Sequence, residues 1–223
     1  MKLFAIITAG GIGTRMGSTL PKQFLKLNGK PVLMHTIQKF YDFSEEVNII
    51  LTLPESYLSL WETLCQTYNF NIKHTIVIGG ATRFESIKNA LKTILENGKA
   101  LVAVHDGARP LVSKELISNC FNTAIECKTA VLVIKLTDTL REHNGKTLQR
   151  ENYRLAQTPQ VFDLKLLQKA YQQPYSNLFT DDASVVESMG ITTKEVEGEV
   201  NNIKITTPLD MYIAEKISKT TNV

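Results

Sequence analysis

The sequence predicts one α/β domain in which a mostly parallel mixed sheet is flanked by helices. Short apolar runs alternate with amphipathic segments, which is typical of β-α-β units. A length of 223 residues suits one domain with a sizeable core. The alternation stops at residues 137–157, a polar stretch containing Asn144-Gly145, a hairpin signal. We therefore expect one domain over residues 1–223, with a projecting β-hairpin arm at about 137–157.

The individual elements follow from hydrophobic periodicity. Strands are predicted at 3–7, 47–51, 75–78, 101–104, 130–134, 192–196 and 203–206. Helices are predicted at 31–43, 55–68, 83–95, 113–127, 164–171, 181–189 and 208–217. Ser113 is a suitable N-cap, and Pro208 suits the first turn of the last helix. We expect Trp61 to pack in the core.

Composition excludes several classes of protein. A net charge of +3 without a basic block gives no indication of nucleic-acid binding. No apolar run approaches the ~20 residues of a membrane span, and the N-terminal apolar run is too short for a secretion signal. We therefore expect a cytoplasmic protein. The three cysteines lack C-x-x-C spacing and the four histidines lack metal-ligand spacing, which favours reduced, structural thiols.

The first strand ends in a glycine-rich loop that suits a nucleoside triphosphate. After Ala9 come Gly10, Gly11 and Gly13, where backbone N–H groups can form an anion-binding nest. Arg15 and Lys22 add two cations within ten residues. The competing interpretation is a glycine turn followed by two solvated basic residues.

Two well-known phosphate loops do not match. The dinucleotide fingerprint G-x-G-x-x-G fails because Gly13 and Gly17 are separated by three residues, and Pro21 disfavours a long helix directly after the loop. The P-loop fails because no Gly-Lys-Ser/Thr occurs in this segment.

Further candidates follow two later strands, where ligand sites of open parallel sheets lie. The first set is Gly80, Ala81, Thr82, Arg83 and Ser86. Thr82 or Ser86 can hydrogen-bond a base or ribose, although a turn with a helix cap explains them equally well.

The second set is Asp106, Gly107 and Arg109. Asp106 is well placed to bind Mg²⁺ beside phosphates, and Arg109 can clamp a second phosphate. A structural Asp106–Arg109 ion pair is the alternative.

Together these segments resemble the 2-C-methyl-D-erythritol 4-phosphate cytidylyltransferase family. The motifs that carry the resemblance occur in order: Ala9-Gly10-Gly11 with Gly13, Arg15 and Gly17; Pro21-Lys22-Gln23; His105 to Pro110; Thr158-Pro159-Gln160; Thr180 to Ser184; and Asn202 to Thr206. The resemblance implies a Rossmann-like fold, transfer of CMP from CTP to methylerythritol phosphate with release of pyrophosphate, Mg²⁺ or another divalent cation such as Mn²⁺, and a homodimer formed through the arm.

The resemblance also implies residue roles. Arg15 and Lys22 would stabilise the pentavalent phosphorus and the leaving group. Arg150 and Lys204 would orient the acceptor phosphate, with Arg150 reaching the neighbouring subunit. The residues implied to bind nucleotide are Ala9, Gly10, Gly11, Gly13, Lys22, Gly80, Ala81, Arg83, Ser86, Asp106 and Gly107. Those implied to bind the acceptor are Asp106, Arg109, Thr139, Arg150, Thr158, Thr180 and Lys204, and Asp106 is also the implied metal ligand.

Three positions depart from the family pattern. Thr82 stands where an acidic residue is usual, Gly107 replaces alanine, and Asn201 replaces an aspartate that is a candidate second metal ligand. As non-catalytic alternatives, Asp138-Thr139 is a common turn or cap, and Thr180 is a suitable N-cap.

Three other functions stay open. A ribitol-5-phosphate cytidylyltransferase would share most motifs. A catalytically silent nucleotide-binding regulator is disfavoured because Arg15 and Lys22 are both present. A dinucleotide-dependent oxidoreductase is disfavoured by the spacing of the first loop.

Overall fold

The structure is a computed structural model that describes residues 1–11, 17 and 20–220. The strands are β1 (Lys2–Thr8), β2 (Lys26–Leu27), β3 (Lys30–Pro31), β4 (Asn48–Leu53), β5 (Thr75–Ile78), β6 (Ala100–Asp106), β7 (Thr129–Lys135), β8 (Arg154–Asp163) and β9 (Glu195–Glu197). The α-helices are α1 (Val32–Phe43), α2 (Leu58–Thr67), α3 (Arg83–Thr93), α4 (Lys114–Cys127), α5 (Leu164–Ala170), α6 (Asp182–Glu187) and α7 (Pro208–Thr220). Short 3₁₀ helices occur at Lys22–Phe24, Glu55–Tyr57 and Arg150–Asn152.

The main sheet has seven strands in the order β5-β4-β1-β6-β8-β7-β9. β1 lies parallel to β4 and to β6, and β7 lies parallel to β9. β8 is antiparallel to β6 and to β7, between which it is inserted. The predicted mixed, mostly parallel sheet is therefore confirmed.

Helices cover both faces of this sheet, because the side chains of a strand alternate between its two faces. On β1, Ile7 packs with buried residues of α1, α2 and α4, whereas Ile6 packs with those of α3, α5 and α6. Trp61 of α2 is buried, and its indole N–H donates to His74 Nε2 at 3.0 Å. The expectation that Trp61 packs in the core is confirmed. α7 closes a smaller apolar cluster with residues of β2 and α1.

The structure corrects four sequence-based assignments. β8 was not predicted, because 137–157 was assigned to the arm and 158–160 was treated only as a motif. A strand was predicted at 203–206, but the Ile205 N–H donates to the carbonyl of the loop residue Ala108, and no ladder forms there. The first turn of the predicted helix 55–68 is 3₁₀. The N-cap of α6 is Asp181, whose carboxylate accepts from the Ser184 N–H, and not Thr180.

Outside the sheet, the segment between β7 and β8 forms the arm. Within it Arg141 bridges to Thr147 in antiparallel fashion, and Gly145 has φ of +97°, as the Asn-Gly turn requires. The hairpin is short, since the pairing between named strands resumes only at Arg154.

Candidate active site

The ends of β1 and β6 and the start of β8 meet at one edge of the sheet. Thr8 and Asp106 are register partners at the ends of parallel strands. Because β8 runs the opposite way, it brings its first half to this edge, and the Thr158 hydroxyl accepts from the Asp106 N–H at 3.0 Å. Two adjoining cavities open at this edge.

The first cavity is lined by the described part of the glycine loop and by the loop before α3. Its lining residues are Thr8, Ala9, Gly10, Gly11, Lys22, Gln23, Gly80, Ala81, Thr82, Arg83, Ser86, Asp106, Ala108 and Lys204. Of the residues predicted to bind nucleotide, this cavity brings together all but Gly107 and Gly13. Gly107 lies behind it, where its N–H donates to the Thr8 carbonyl. Gly13 and the catalytic candidate Arg15 lie outside the described residues.

Lys22 is held in this cavity by its own short helix. The neighbouring Gln23 is 2% exposed, and its side-chain amide donates to the Ala9 carbonyl at 2.7 Å. Phe24 is buried against Tyr57 and Trp61. Gln23 therefore joins the turn that carries Lys22 to the end of β1, a contact that the sequence pattern did not reveal.

The loop before α3 is organised by a capping box. The Thr82 hydroxyl accepts from the Glu85 N–H, while the Glu85 carboxylate accepts from the Thr82 N–H. The Ser86 hydroxyl accepts from the Gly80 N–H at 3.0 Å and donates to the Thr82 carbonyl. The turn-and-cap alternative for Thr82 and Ser86 thus holds, and both residues also line the cavity.

Asp106 lies under both cavities and is surrounded by cations. Lys204 Nζ is 2.9 Å from Oδ2, Arg109 Nε is 3.5 Å from Oδ2, and Arg83 Nε is 3.7 Å from Oδ1. Burial alone would raise the pKa of Asp106, but Arg83, Lys204 and Arg109 hold that pKa far below its usual range. Asp106 is therefore a carboxylate at every physiological pH.

His105 precedes Asp106 and is fully buried. Its Nε2 donates to the Arg109 carbonyl at 3.1 Å, and burial lowers the pKa of the imidazole to about 4. The ring is therefore neutral, and its hydrogen bond to the Arg109 carbonyl stabilises the turn that carries Arg109.

The second cavity adjoins the first. It is lined by Arg83, Asp106, Arg109, Ala156, Gln157, Thr158, Gln160, Thr180, Asp181 and Lys204. Three charged residues, Arg83, Asp106 and Lys204, line both cavities. Thr180 is exposed at its rim, whereas Thr158 is buried with its hydroxyl already bonded to the Asp106 N–H.

Arg109 is more deeply engaged than predicted. Its guanidinium pairs with Asp106 and donates to the Asn202 carbonyl at 2.7 Å, with 11% of its side chain exposed. The structural Asp106–Arg109 pair, given as the alternative, is present, although Arg109 also lines the second cavity.

Two predicted acceptor residues lie apart from both cavities of this chain. Thr139 is exposed, and Arg150, on the arm, donates to the Thr137 carbonyl and pairs with Glu151. Asn201 is also exposed and lines neither cavity.

The described residues contain no cluster of three or more His, Cys, Asp or Glu side chains arranged to enclose a metal ion. In the same residues, no helix has the length and apolar character needed to cross a membrane.

Two adjoining cavities that share one carboxylate and two cations, at the carboxyl ends of the parallel strands β1 and β6, have the features expected of a site for phosphorylated ligands, as in a nucleotide-dependent transferase. Comparison with known proteins identifies the family. The family model for 2-C-methyl-D-erythritol 4-phosphate cytidylyltransferase matches residues 3–220. The chain therefore belongs to this family and is a cytidylyltransferase.

Individual relatives agree over nearly the whole length. The chain is 50% identical over 216 residues to the 2-C-methyl-D-erythritol 4-phosphate cytidylyltransferase of Bacteroides fragilis, covering 96% of this chain and 98% of that one. It is 50% identical over 218 residues to the Phocaeicola vulgatus protein of the same name, covering 96% and 99%. The Francisella tularensis 2-C-methyl-D-erythritol 4-phosphate cytidylyltransferase structure superposes with a TM-score of 0.81 at 36% identity, covering 97% and 99%. Solved structures of this family have the Rossmann-like fold that was expected for this chain.

Proposed function

We propose that this protein transfers CMP from CTP to 2-C-methyl-D-erythritol 4-phosphate and releases pyrophosphate. The observation that carries the proposal is the pair of adjoining cavities sharing Arg83, Asp106 and Lys204. The first, with Gly10, Gly11 and Lys22, suits the triphosphate. The second, bordered by Thr180, suits a phosphorylated polyol.

In the proposed reaction an oxygen of the acceptor phosphate attacks the α-phosphorus of CTP. A new P–O bond forms, the bond to the β-phosphate bridge breaks, and pyrophosphate leaves with the bonding electrons. The acceptor phosphate is already an anion near neutral pH, so no general base is needed. Catalysis then depends on positioning and on stabilising negative charge.

Each side chain has a corresponding task. Lys22 lies in the first cavity and, with Arg15, would offset the charge that builds on the phosphate oxygens. Lys204, placed between the cavities, would hold the acceptor phosphate beside the α-phosphate. Gly10 and Gly11 leave room for the triphosphate, since a Cβ atom added at either would meet nothing within 4 Å.

A divalent cation fits the donor set. Mg²⁺ commonly binds through one or two carboxylates plus substrate phosphates, and Asp106 is a permanently ionised carboxylate where the cavities adjoin. Asp106 would hold Mg²⁺ or Mn²⁺ together with the nucleotide phosphates, and the cation would neutralise phosphate charge.

The active form would be a homodimer in which the arm places Arg150 and Thr139 at the partner's acceptor cavity. This is supported by the exposure of both residues and by the fact that neither lines either cavity of its own chain. Exposed Tyr153 and Leu155 on the same segment would be covered by the partner. Light scattering at micromolar concentration tests this, and a monomer would refute it.

The decisive assay is pyrophosphate release with CTP and Mg²⁺, comparing methylerythritol phosphate with ribitol 5-phosphate. We expect release with the first acceptor. Release only with ribitol 5-phosphate would keep the mechanism and change the acceptor, whereas binding of CTP without turnover of either would indicate a silent regulator.

Lys22 is tested against a nearby lysine. Lys22→Met should lower kcat by ~100-fold or more, because the cation acts mainly in the transition state. Lys26→Met is the matched control, since Lys26 is exposed and lines neither cavity. A Lys22→Met variant with unchanged kcat and only a raised KM would refute the proposed role.

A further inference from the structure

Asp182 is a fully buried carboxylate with three strong donors. Arg83 Nη1 donates to Oδ1 at 3.1 Å and Nη2 to Oδ2 at 2.6 Å, and the Tyr171 hydroxyl donates to Oδ1 at 2.6 Å. A two-bond guanidinium–carboxylate pair fixes the plane of the guanidinium as well as its distance. Asp182 therefore fixes the position and orientation of the Arg83 guanidinium.

The position of the Arg83 guanidinium matters because Arg83 borders both cavities. It is the first residue of α3, directly after the loop that lines the nucleotide cavity, and its side chain also lines the acceptor cavity. Its Nε lies 3.7 Å from Asp106 Oδ1, beyond hydrogen-bonding distance. Arg83 is thus bonded to Asp182 while remaining within reach of Asp106.

The other end of the pair belongs to the acceptor side. Asp182 is the first residue of α6, two positions after Thr180 at the rim of the acceptor cavity. Gln160 fastens the same helix start, donating to Asp181 at 2.7 Å and accepting from the Ala183 N–H at 2.8 Å. The Arg83–Asp182 pair therefore joins the helix start of the nucleotide loop to the helix start of the acceptor rim.

Loss of Asp182 would have a definite consequence for charge. The Arg83 guanidinium would stay charged but lose its two-bond partner, while the carboxylate of Asp106, 3.7 Å from its Nε, would remain. Arg83 could then form a direct hydrogen bond with Asp106 Oδ1, which it does not contact at hydrogen-bonding distance in the present structure. The tie between α3 and α6 would be lost at the same time.

We propose that Asp182 is a positioning residue that acts through Arg83 and couples occupation of the nucleotide cavity to occupation of the acceptor cavity. The proposal rests on the proposed function, because it names the two ligands of these cavities. Binding of the nucleotide phosphates beside Arg83 is transmitted through the bidentate pair to α6 and Thr180.

The test measures coupling and not activity. Calorimetry gives the affinity for methylerythritol phosphate alone and with saturating α,β-methylene CTP, whose α–β bridge does not cleave in this reaction. In the wild type, we expect the nucleotide to change acceptor affinity by at least about fivefold, the lower end for coupled sites. In Asp182→Asn the change should be less than about twofold. Asp182→Glu, which can still form a bidentate pair, should restore most of the coupling.

A merely structural role would give a different result. It would weaken both affinities and leave their dependence on each other unchanged. Asp163→Asn is the matched control, because Asp163 also serves a helix start, accepting from the Leu166 N–H at 3.0 Å, and lines neither cavity. This control should retain the wild-type ratio of affinities.

The outcomes separate the two proposals. Wild-type coupling preserved in Asp182→Asn, or no coupling in the wild type, would overturn the role of Asp182 while leaving cytidylyl transfer intact. No binding of either ligand to the wild type, together with no pyrophosphate release, would overturn the proposed function itself.

Discussion

Replacing Gln23 by leucine should disturb the position of Lys22 while leaving its charge in place. Gln23 is buried next to Lys22, and its amide donates to the Ala9 carbonyl at 2.7 Å. Leucine has a similar volume and no donor, so Gln23→Leu removes the bond between the Lys22 turn and the end of β1 without opening a large cavity.

The magnitude follows from the groups left behind. The Ala9 carbonyl loses its side-chain donor at a residue that is 3% exposed, and a buried acceptor without a partner costs about 1–3 kcal/mol. A domain stable by about 5–15 kcal/mol remains folded after such a loss. Displacement of a catalytic group by about 1 Å can cost ~100-fold, so we expect kcat/KM to fall by roughly 10- to 100-fold.

The assay pairs pyrophosphate release with urea unfolding. Gln168→Leu is the matched control, because the Gln168 amide donates to the Leu91 and Ile94 carbonyls at 3.2 Å and lies outside both cavities. Both variants should lose stability, and only Gln23→Leu should lose activity. Equal activity losses, or full activity in Gln23→Leu, would refute the placement argument.

Three further predictions follow from burial, charge and space. The pKa of His105 is about 4 in the folded protein and near 6.5 in the unfolded chain. Between these two pH values the unfolded chain binds the proton and the folded protein does not. The free energy of unfolding should therefore fall by up to about 3 kcal/mol as the pH falls from about 6.5 to about 4. Urea unfolding at pH 7 and 5 should show a smaller fall in His105→Gln, and an equal fall would contradict the assignment. Lys204→Met should lower kcat/KM by ~100-fold. It should change stability by less than about 1 kcal/mol, because the side chain is 42% exposed, and a large loss on thermal unfolding would instead indicate a structural role. In Gly80→Ala the added Cβ would lie 2.3 Å from the Glu85 Cβ, so the loop must move and the KM for CTP should rise about tenfold. An unchanged KM would show that the loop can shift without loss of CTP binding.

Much of the fold and of the first cavity was predictable because local sequence patterns decide them. Apolar runs gave β1, β4, β5 and β6, and the rule that sites lie beyond strand ends placed Gly80 and Asp106 together. The resemblance to the family then pointed to Thr158 and Thr180, both of which line the second cavity.

The remaining features depend on contacts between residues far apart in the chain. β8 was missed because its first half is polar and continues from the arm, and only its insertion between β6 and β7 reveals it as a strand. The alternative assignment of Thr180 as a helix N-cap was wrong, because Asp181 caps α6 through its carboxylate, which accepts from the Ser184 N–H.

The sequence by itself determined which chemical groups are available to the candidate site: a glycine-rich strand end, several cations and the carboxylate of Asp106. Tertiary structure alone decided which of these groups meet. Arg83 and Asp182 are separated by 99 positions, yet they form a bidentate pair that no local sequence pattern predicts. The physical reason is that strand order and helix placement, and not sequence spacing, set the distances between side chains.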